Sequence, residues 1–253
     1  TRPLPAYPIA FPLGPFEVVD AGRAKSGVPL RSLVPPGHRG PATALATWTR
    51  LALDRVEQWT EIPYAYGKLD LVAVPRTGPH WWAMENAGMV TVALPALGDP
   101  REFVTTLLHE LAHHWFGDLV TMQWFDDVWL NEAFATWLAA KLRIANVPST
   151  PPEPSRPFVH ETLPDVSTIR PSLEESYDRR RLAPYIPGDK GARLVEGLER
   201  LLGEERFAEA IRGYLRAHAD GNATSKDLVA ALASTFGHPI EPMIMAALDG
   251  GAT

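Results

Sequence analysis

Residues 107–117 read LLHELAHHWFG: three histidines and a glutamate stand in an apolar stretch where a core helix carries leucine and alanine. An imidazole or carboxylate buried without a partner costs about 1 to several kcal/mol, so these side chains either face water or share something that compensates them. Upstream, Asp99-Pro100-Arg101-Glu102 has the form of a helix start, with Asp99 as N-cap, Pro100 in the first helical position and Glu102 closing a capping box; Gly117 is a stop signal. The pattern predicts one helix over 100–116. On it His109 and His113 are four residues apart and share a face, Glu110 lies on the adjacent flank, and His114 points elsewhere. Two imidazoles at that spacing can reach one zinc ion at about 2.0–2.1 Å, which leaves the glutamate free to take a proton from water.

Zinc needs a third protein ligand. In DDVWLNEAFATWLAAKL (126–142), Glu132 follows His113 after 18 intervening residues, near the start of a second helix whose Leu130, Phe134, Trp137 and Leu138 would bury one face. A carboxylate in so apolar a setting calls for a cation. Taken singly, Glu132 also fits a solvated first-turn acid favoured by the helix dipole, and the histidines fit satisfied core residues. The two helices together favour the metal.

The rest of the chain bounds this reading. Its 253 residues, 45% hydrophobic and 21% charged, have globular composition and suffice for one large domain or two small ones. A net charge of -6 argues against a nucleic-acid partner. With no cysteine, a metal must sit on nitrogen and oxygen ligands. Apolar runs long enough to span a membrane are absent, and the chain begins at Thr1 without a leader-type segment; the expectation is a processed protein or an excised piece in a soluble, cytoplasmic setting.

Strand-like runs at 16–20, 69–74 and 89–94, with a helical pattern over 41–59, make residues 1–98 a small sheet-rich part with one helix. Residues 99–253 read as a helical part: the two helices above, a proline-dense surface loop at 147–157, and three or more amphipathic helices from about Asp189, with Thr224 and Ser225 as plausible caps. Strands first and helices afterwards make the fold α+β. Trp115, Trp124, Trp129 and Trp137 are expected in the core. His38, His80, His160, His218 and His238 show no ligand spacing and are expected at the surface.

HELAHHWFGDLVTMQWFDDVWLNEAFATW (109–137) resembles the zinc core of the aminopeptidase N family of metallopeptidases, and WAMENAGM (82–89) resembles that family's GAMEN exopeptidase motif. The resemblance covers essentially the whole chain and implies a thermolysin-like catalytic domain over 1–253. It also implies an N-terminal β-domain and a C-terminal helical domain, neither of which fits in this chain. It implies one zinc ion on His109, His113 and Glu132, with Glu110 as general base. Glu85, with Ala83, Met84 and Asn86 around it, is implied to hold the free α-ammonium of a peptide substrate, so that only the first peptide bond reaches the metal.

Two positions depart from the family pattern. Trp82 stands where the GAMEN motif has glycine, so an indole either narrows the substrate site or turns outwards. PYIPGDKGA (184–192) resembles Y-x-K-G, whose tyrosine supports the oxyanion, but the matching position is Gly188. Either the donor is lost and the enzyme is impaired, or Pro187-Gly188 belongs to a turn insertion that lets Tyr185 take the place; Tyr177 is a weaker candidate. The sequence thus implies a zinc aminopeptidase. The alternatives are an impaired relative acting as an interaction module and a related zinc endopeptidase.

Overall fold

In the computed structural model, residues 3–75, 82–148, 169–170, 185–236 and 240–250 are described, with 185–187 as backbone only. They divide into two compact units, Leu4–His114 with Leu138–Glu153 and Trp115–Trp137 with Pro154–Thr253, apart from Thr1–Pro3, which groups with the second.

The first unit is built on a five-stranded mixed sheet ordered β1-β2-β3-β5-β4, from β1 (Glu17–Arg23), β2 (Pro29–Val34), β3 (Leu69–Val74), β4 (Ala83–Met84) and β5 (Met89–Ala93). The inner pairs β2/β3 and β3/β5 are parallel and the outer pairs β1/β2 and β4/β5 antiparallel. A central parallel strand is covered on both faces and so needs a continuous rather than alternating apolar run. LDLVAV of β3 meets that requirement, and all but its last residue are buried. The one charge in it, Asp70, is 5% exposed and is held by Arg31 and Lys68, each at 2.7 Å. Burial raises its pKa, and the two cations more than reverse that, leaving the carboxyl below its usual range.

Helix α1 (Arg39–Thr60) makes the crossover from β2 to β3 and buries Ala42, Leu45, Ala52, Leu53 and Val56. Against it lies α2 (Pro100–His113), reached through a 3-10 turn at Leu94–Gly98. The expected N-cap is present: the Asp99 carboxylate accepts from the backbone N–H of Arg101 at 2.8 Å and of Glu102 at 3.3 Å, with Pro100 in the first turn. The helix ends at His113, three residues before the expected 116. There the His114 N–H tightens onto Leu111 O at 3.1 Å. The turn that follows is closed by Gly117 N–H donating to Val120 O at 2.9 Å and by Val120 N–H donating to Trp115 O, bonds between residues close in sequence that displace the helical ones.

The second unit is helical, with α3 (Trp129–Lys141, divided between the units after Trp137), α4 (Tyr185–Leu202), α5 (Glu204–Ala217), α6 (Ser225–Phe236) and α7 (Glu241–Asp249). A short parallel pair, β6 (Val120–Met122) and β7 (Gly221–Ala223), lies within it. Phe116 stacks on Phe134 at 4.8 Å, and Trp137 meets Phe207 edge-on at 5.5 Å. Trp115, Trp129 and Trp137 are buried as expected. Trp124 is not: it is 67% exposed, lying past the last β6–β7 pair at Met122 and just before the 3-10 turn Phe125–Asp127.

Thr224 caps α6 reciprocally with Asp227. Ser225 instead joins a buried network, receiving the Trp129 indole N–H at 2.8 Å and bonding Asp127. His218 is half-buried against Tyr214 at 5.2 Å rather than at the surface; His80, His160 and His238 lie outside the described residues, as does most of the 147–157 loop. Gly191 of α4 packs so closely on α3 that a Cβ there would lie 2.5 Å from Ala133 Cβ. The architecture is α+β, a small sheet followed by helices, as the order of elements implied.

Candidate metal and substrate site

The apolar face of α2, with Phe103, Val104, Leu107, Leu108 and Leu111 fully or almost fully buried, fixes the rotation of the helix. That rotation leaves His109 half-exposed and His113 and Glu110 buried. The two histidine Nε2 atoms approach to 3.1 Å, with ring planes at 86°. A tetrahedral ion bound to two nitrogens at about 2.0–2.1 Å sets them about 3.3 Å apart, so the pair is spaced as such an ion requires.

Glu85, Glu110 and His113, all buried, each offer a ligand atom, and these atoms lie within 4.8 Å of one another. Among the described residues, no hydrogen bond or ion pair engages the Glu85 carboxylate. Glu85 is placed by the end of β4, where Ala83 pairs with Val92 and Met84 with Thr91 at the sheet edge. The turn after it is tied on several sides. Met89 N–H donates to Asn86 O at 2.7 Å, Thr91 Oγ1 to Asn86 Oδ1 at 2.7 Å, Ala87 N–H to Pro8 O, and both Lys68 Nζ and Asp70 N–H to Gly88 O. Gly88 has φ 72, where glycine is unstrained. Trp82 does not turn fully outwards: it is half-buried, and its carbonyl accepts from Ala93 N–H at 2.7 Å.

His114, which sequence reasoning set aside, is 1% exposed. It sits between Tyr64 and Tyr66, with ring centroids 5.4 and 5.6 Å away. Burial first, and the neighbouring His113 second, lower its pKa to about 3, against the opposing pull of the Asn86 backbone. The ring is therefore neutral at neutral pH. Its helical-wheel position pointed away from the metal face and carried no sign of this depth.

In the helical unit, Glu132 sits half-buried in the first turn of α3, flanked by buried Asn131 and Ala133. Pro187 and Gly188 lie in the first turn of α4. They form no inserted reverse turn, which corrects that expectation; proline is tolerated in a first turn because its missing N–H has no partner there. Tyr185 opens the same helix, its side chain outside the described residues, and Tyr177 lies wholly outside them. Gly188 is buried, and a Cβ on it would stand 3.3 Å from Thr136 Oγ1 and 3.9 Å from Glu132 Cβ.

No helix among the described residues is long and apolar enough to cross a membrane. The peptidase family M1 domain matches residues 46–247. Aminopeptidase N of Streptomyces lividans is 32% identical over 271 residues, covering 98% of this chain and 31% of that protein. Aminopeptidase M1-B of Oryza sativa subsp. japonica is 30% identical over 273 residues, covering 96% of this chain and 31% of that protein. Aminopeptidase 2 of Candida albicans is 32% identical, covering 95% and 27%. The chain spans under a third of the length of these curated relatives, and over the span they share, it belongs to peptidase family M1.

Proposed function

We propose that the chain is the catalytic part of a zinc aminopeptidase that removes N-terminal residues from peptides. The observation that carries the reading is a histidine pair spaced for a metal, set beside a buried carboxylate that no hydrogen bond or ion pair engages among the described residues. His109, His113 and Glu132 hold the ion, a donor set of two imidazole nitrogens and one carboxylate oxygen that suits zinc. Zinc, when bound, acidifies water and polarises the peptide carbonyl. Glu110 accepts the proton of the attacking water and passes it to the leaving amine.

Glu85 receives the α-ammonium of the substrate. A buried carboxylate without a counter-charge costs several kcal/mol unless a cation arrives, so its open position is matched to an incoming amine. Ala83 and Met84, on the sheet edge, run alongside the substrate backbone, and Asn86 holds the turn that aims Glu85. Glu85→Ala is expected to cut the preference for free over N-acetylated substrates by about tenfold or more with zinc content unchanged; an unaltered preference rules the role out.

The same experiment, extended to the wild type, tests the whole reading. Metal analysis is paired with an aminoacyl chromogenic substrate and its N-acetylated form. Cleavage of the free amine alone supports the proposal, cleavage of the blocked form points to an endopeptidase, and zinc without cleavage points to an impaired relative. One observation favours impairment enough to name it: position 188, where the family resemblance puts the oxyanion tyrosine, is beside Glu132 and empty of a side chain. In the active alternative, Tyr185, one helical turn earlier in α4, supplies the hydroxyl instead. Tyr185→Phe then lowers turnover about a hundredfold at constant zinc, and wild-type turnover in that variant would show that no tyrosine at 185 takes part.

The relatives' greater length supports a further point: the chain works with other domains of a longer aminopeptidase.

A further inference from the structure

Asp127 is a buried carboxylate, 7% exposed, that the reaction above does not use. It closes the 3-10 turn Phe125–Asp127, two residues before α3 begins at Trp129. Both of its oxygens are engaged by residues distant in sequence. Oδ2 accepts the backbone N–H of Ser225 at 3.0 Å, while Oδ1 accepts the Ser225 hydroxyl and an Arg170 N–H, the latter at 3.4 Å. The Ser225 oxygen receives in turn the indole N–H of Trp129 at 2.8 Å. An indole only donates and a carboxylate only accepts, so the hydroxyl between them serves both in a single orientation.

Ser225 and Trp129 are 1% and 0% exposed, so a bond lost among these groups is not replaced by bulk water. Residues 127 and 129, at the start of α3, are thereby tied to one residue at the start of α6. Glu132 follows within the next turn. Its N–H and that of Asn131 both donate to Val128 O, at 3.1 and 3.0 Å, and the helical rise puts it about 4.5 Å along the axis from Trp129.

We infer that Asp127 is a positioning residue: through Ser225 and Trp129 it sets the height and rotation of the first turn of α3, and with them the place where Glu132 presents its carboxylate to a metal. The inference rests on the assignment of Glu132 as a ligand. A metal–ligand bond keeps its length to within about 0.2 Å, so a turn free to shift by more than that holds its carboxylate in the wrong place. A network that only filled the core would behave differently. Metal binding would then follow the stability of the helical unit, whichever core residue was altered.

The test is the zinc affinity of the full chain, measured by competition with a chromophoric chelator, together with the visible absorption of the cobalt(II)-loaded protein. Ser225→Ala removes the hydroxyl that links Asp127 to Trp129 and little else. It is expected to weaken zinc binding by about tenfold, the low end of what partners behind a metal ligand contribute, and to alter the cobalt spectrum. Asp127→Ala should do at least as much; should it fail to fold, Trp129→Phe, which loses the indole N–H, takes its place. Ile211→Ala, at a fully buried position on α5, should lower the melting temperature yet keep zinc affinity within about twofold and leave the cobalt spectrum unchanged.

Wild-type affinity and spectrum in Ser225→Ala, or an equal loss of affinity in Ile211→Ala, overturns the positioning role while leaving the ligand assignment intact. Glu132→Ala keeps the two failures apart: if that variant binds zinc as the wild type does, Glu132 is not a ligand, and this proposal falls with that assignment.

Discussion

His113→Ala is expected to leave the protein with less than about a tenth of its zinc after gel filtration and with peptidase activity at background. The estimate follows from the order of ligand effects. Removing a hydrogen-bond partner behind a metal ligand weakens binding by roughly 10- to 100-fold, so removing one of three ligands outright must cost more. The loss is not a consequence of unfolding if the sheet-rich unit, whose core lies along β3, β5 and α1, keeps its circular dichroism. Because His113 is 1% exposed, its deletion also opens a cavity. His109→Ala, at a half-exposed position, is the companion variant that removes a ligand with less structural cost. Equal zinc in wild type and both variants would end the assignment of this pair as ligands.

Glu110→Gln separates base from ligand. The substitution keeps size and hydrogen-bonding reach and removes the ability to accept a proton, so turnover should fall by about 10²- to 10⁴-fold, the usual worth of a general base. Zinc content should remain at the wild-type value, because the ion is assigned to other side chains. The burial of Glu110, at 7% exposure, keeps bulk water from replacing it as proton acceptor. Should the variant instead lose its metal, Glu110 is a ligand and the roles on this helix have to be redistributed.

The N-terminal half of α2 was legible from four residues, since an N-cap aspartate and a first-turn proline act locally and the bonds they predict are the bonds seen. The helix end was not, because the signal at Gly117 lay past a reversal closed by bonds to Val120 and Trp115. β3 and β5 were readable as apolar runs. β2 was missed because PLRSLV mixes a proline, an arginine and a serine into a strand whose identity comes from its neighbours, and β4, only Ala83–Met84, is too short to have a period.

For the site, spacing carried the metal pair and motif resemblance carried Glu85. The burial of His114 could not be found either way, since it depends on Tyr64 and Tyr66, distant in sequence. Trp124 failed the opposite rule: a tryptophan is usually core, but the β6–β7 pairing ends at Met122, two residues before it, and the indole is exposed.

The contact between Gly191 and Ala133 bears on what substitution alone can do to this protein. With a would-be Cβ only 2.5 Å from its neighbour, position 191 tolerates no side chain, so α4 can neither rotate nor slide against α3 without separating from it. Gly197, on the same helix, has nothing within 4 Å of its would-be Cβ and leaves that stretch open to change. Gly188 is intermediate, at 3.3 Å from a threonine hydroxyl, a gap that a small shift can absorb. The helix is therefore keyed at one residue and vacant at another, nearly two turns away. A chain altered one residue at a time can regain a side chain next to Glu132 by filling position 188, but it cannot do so by changing the register of the helix.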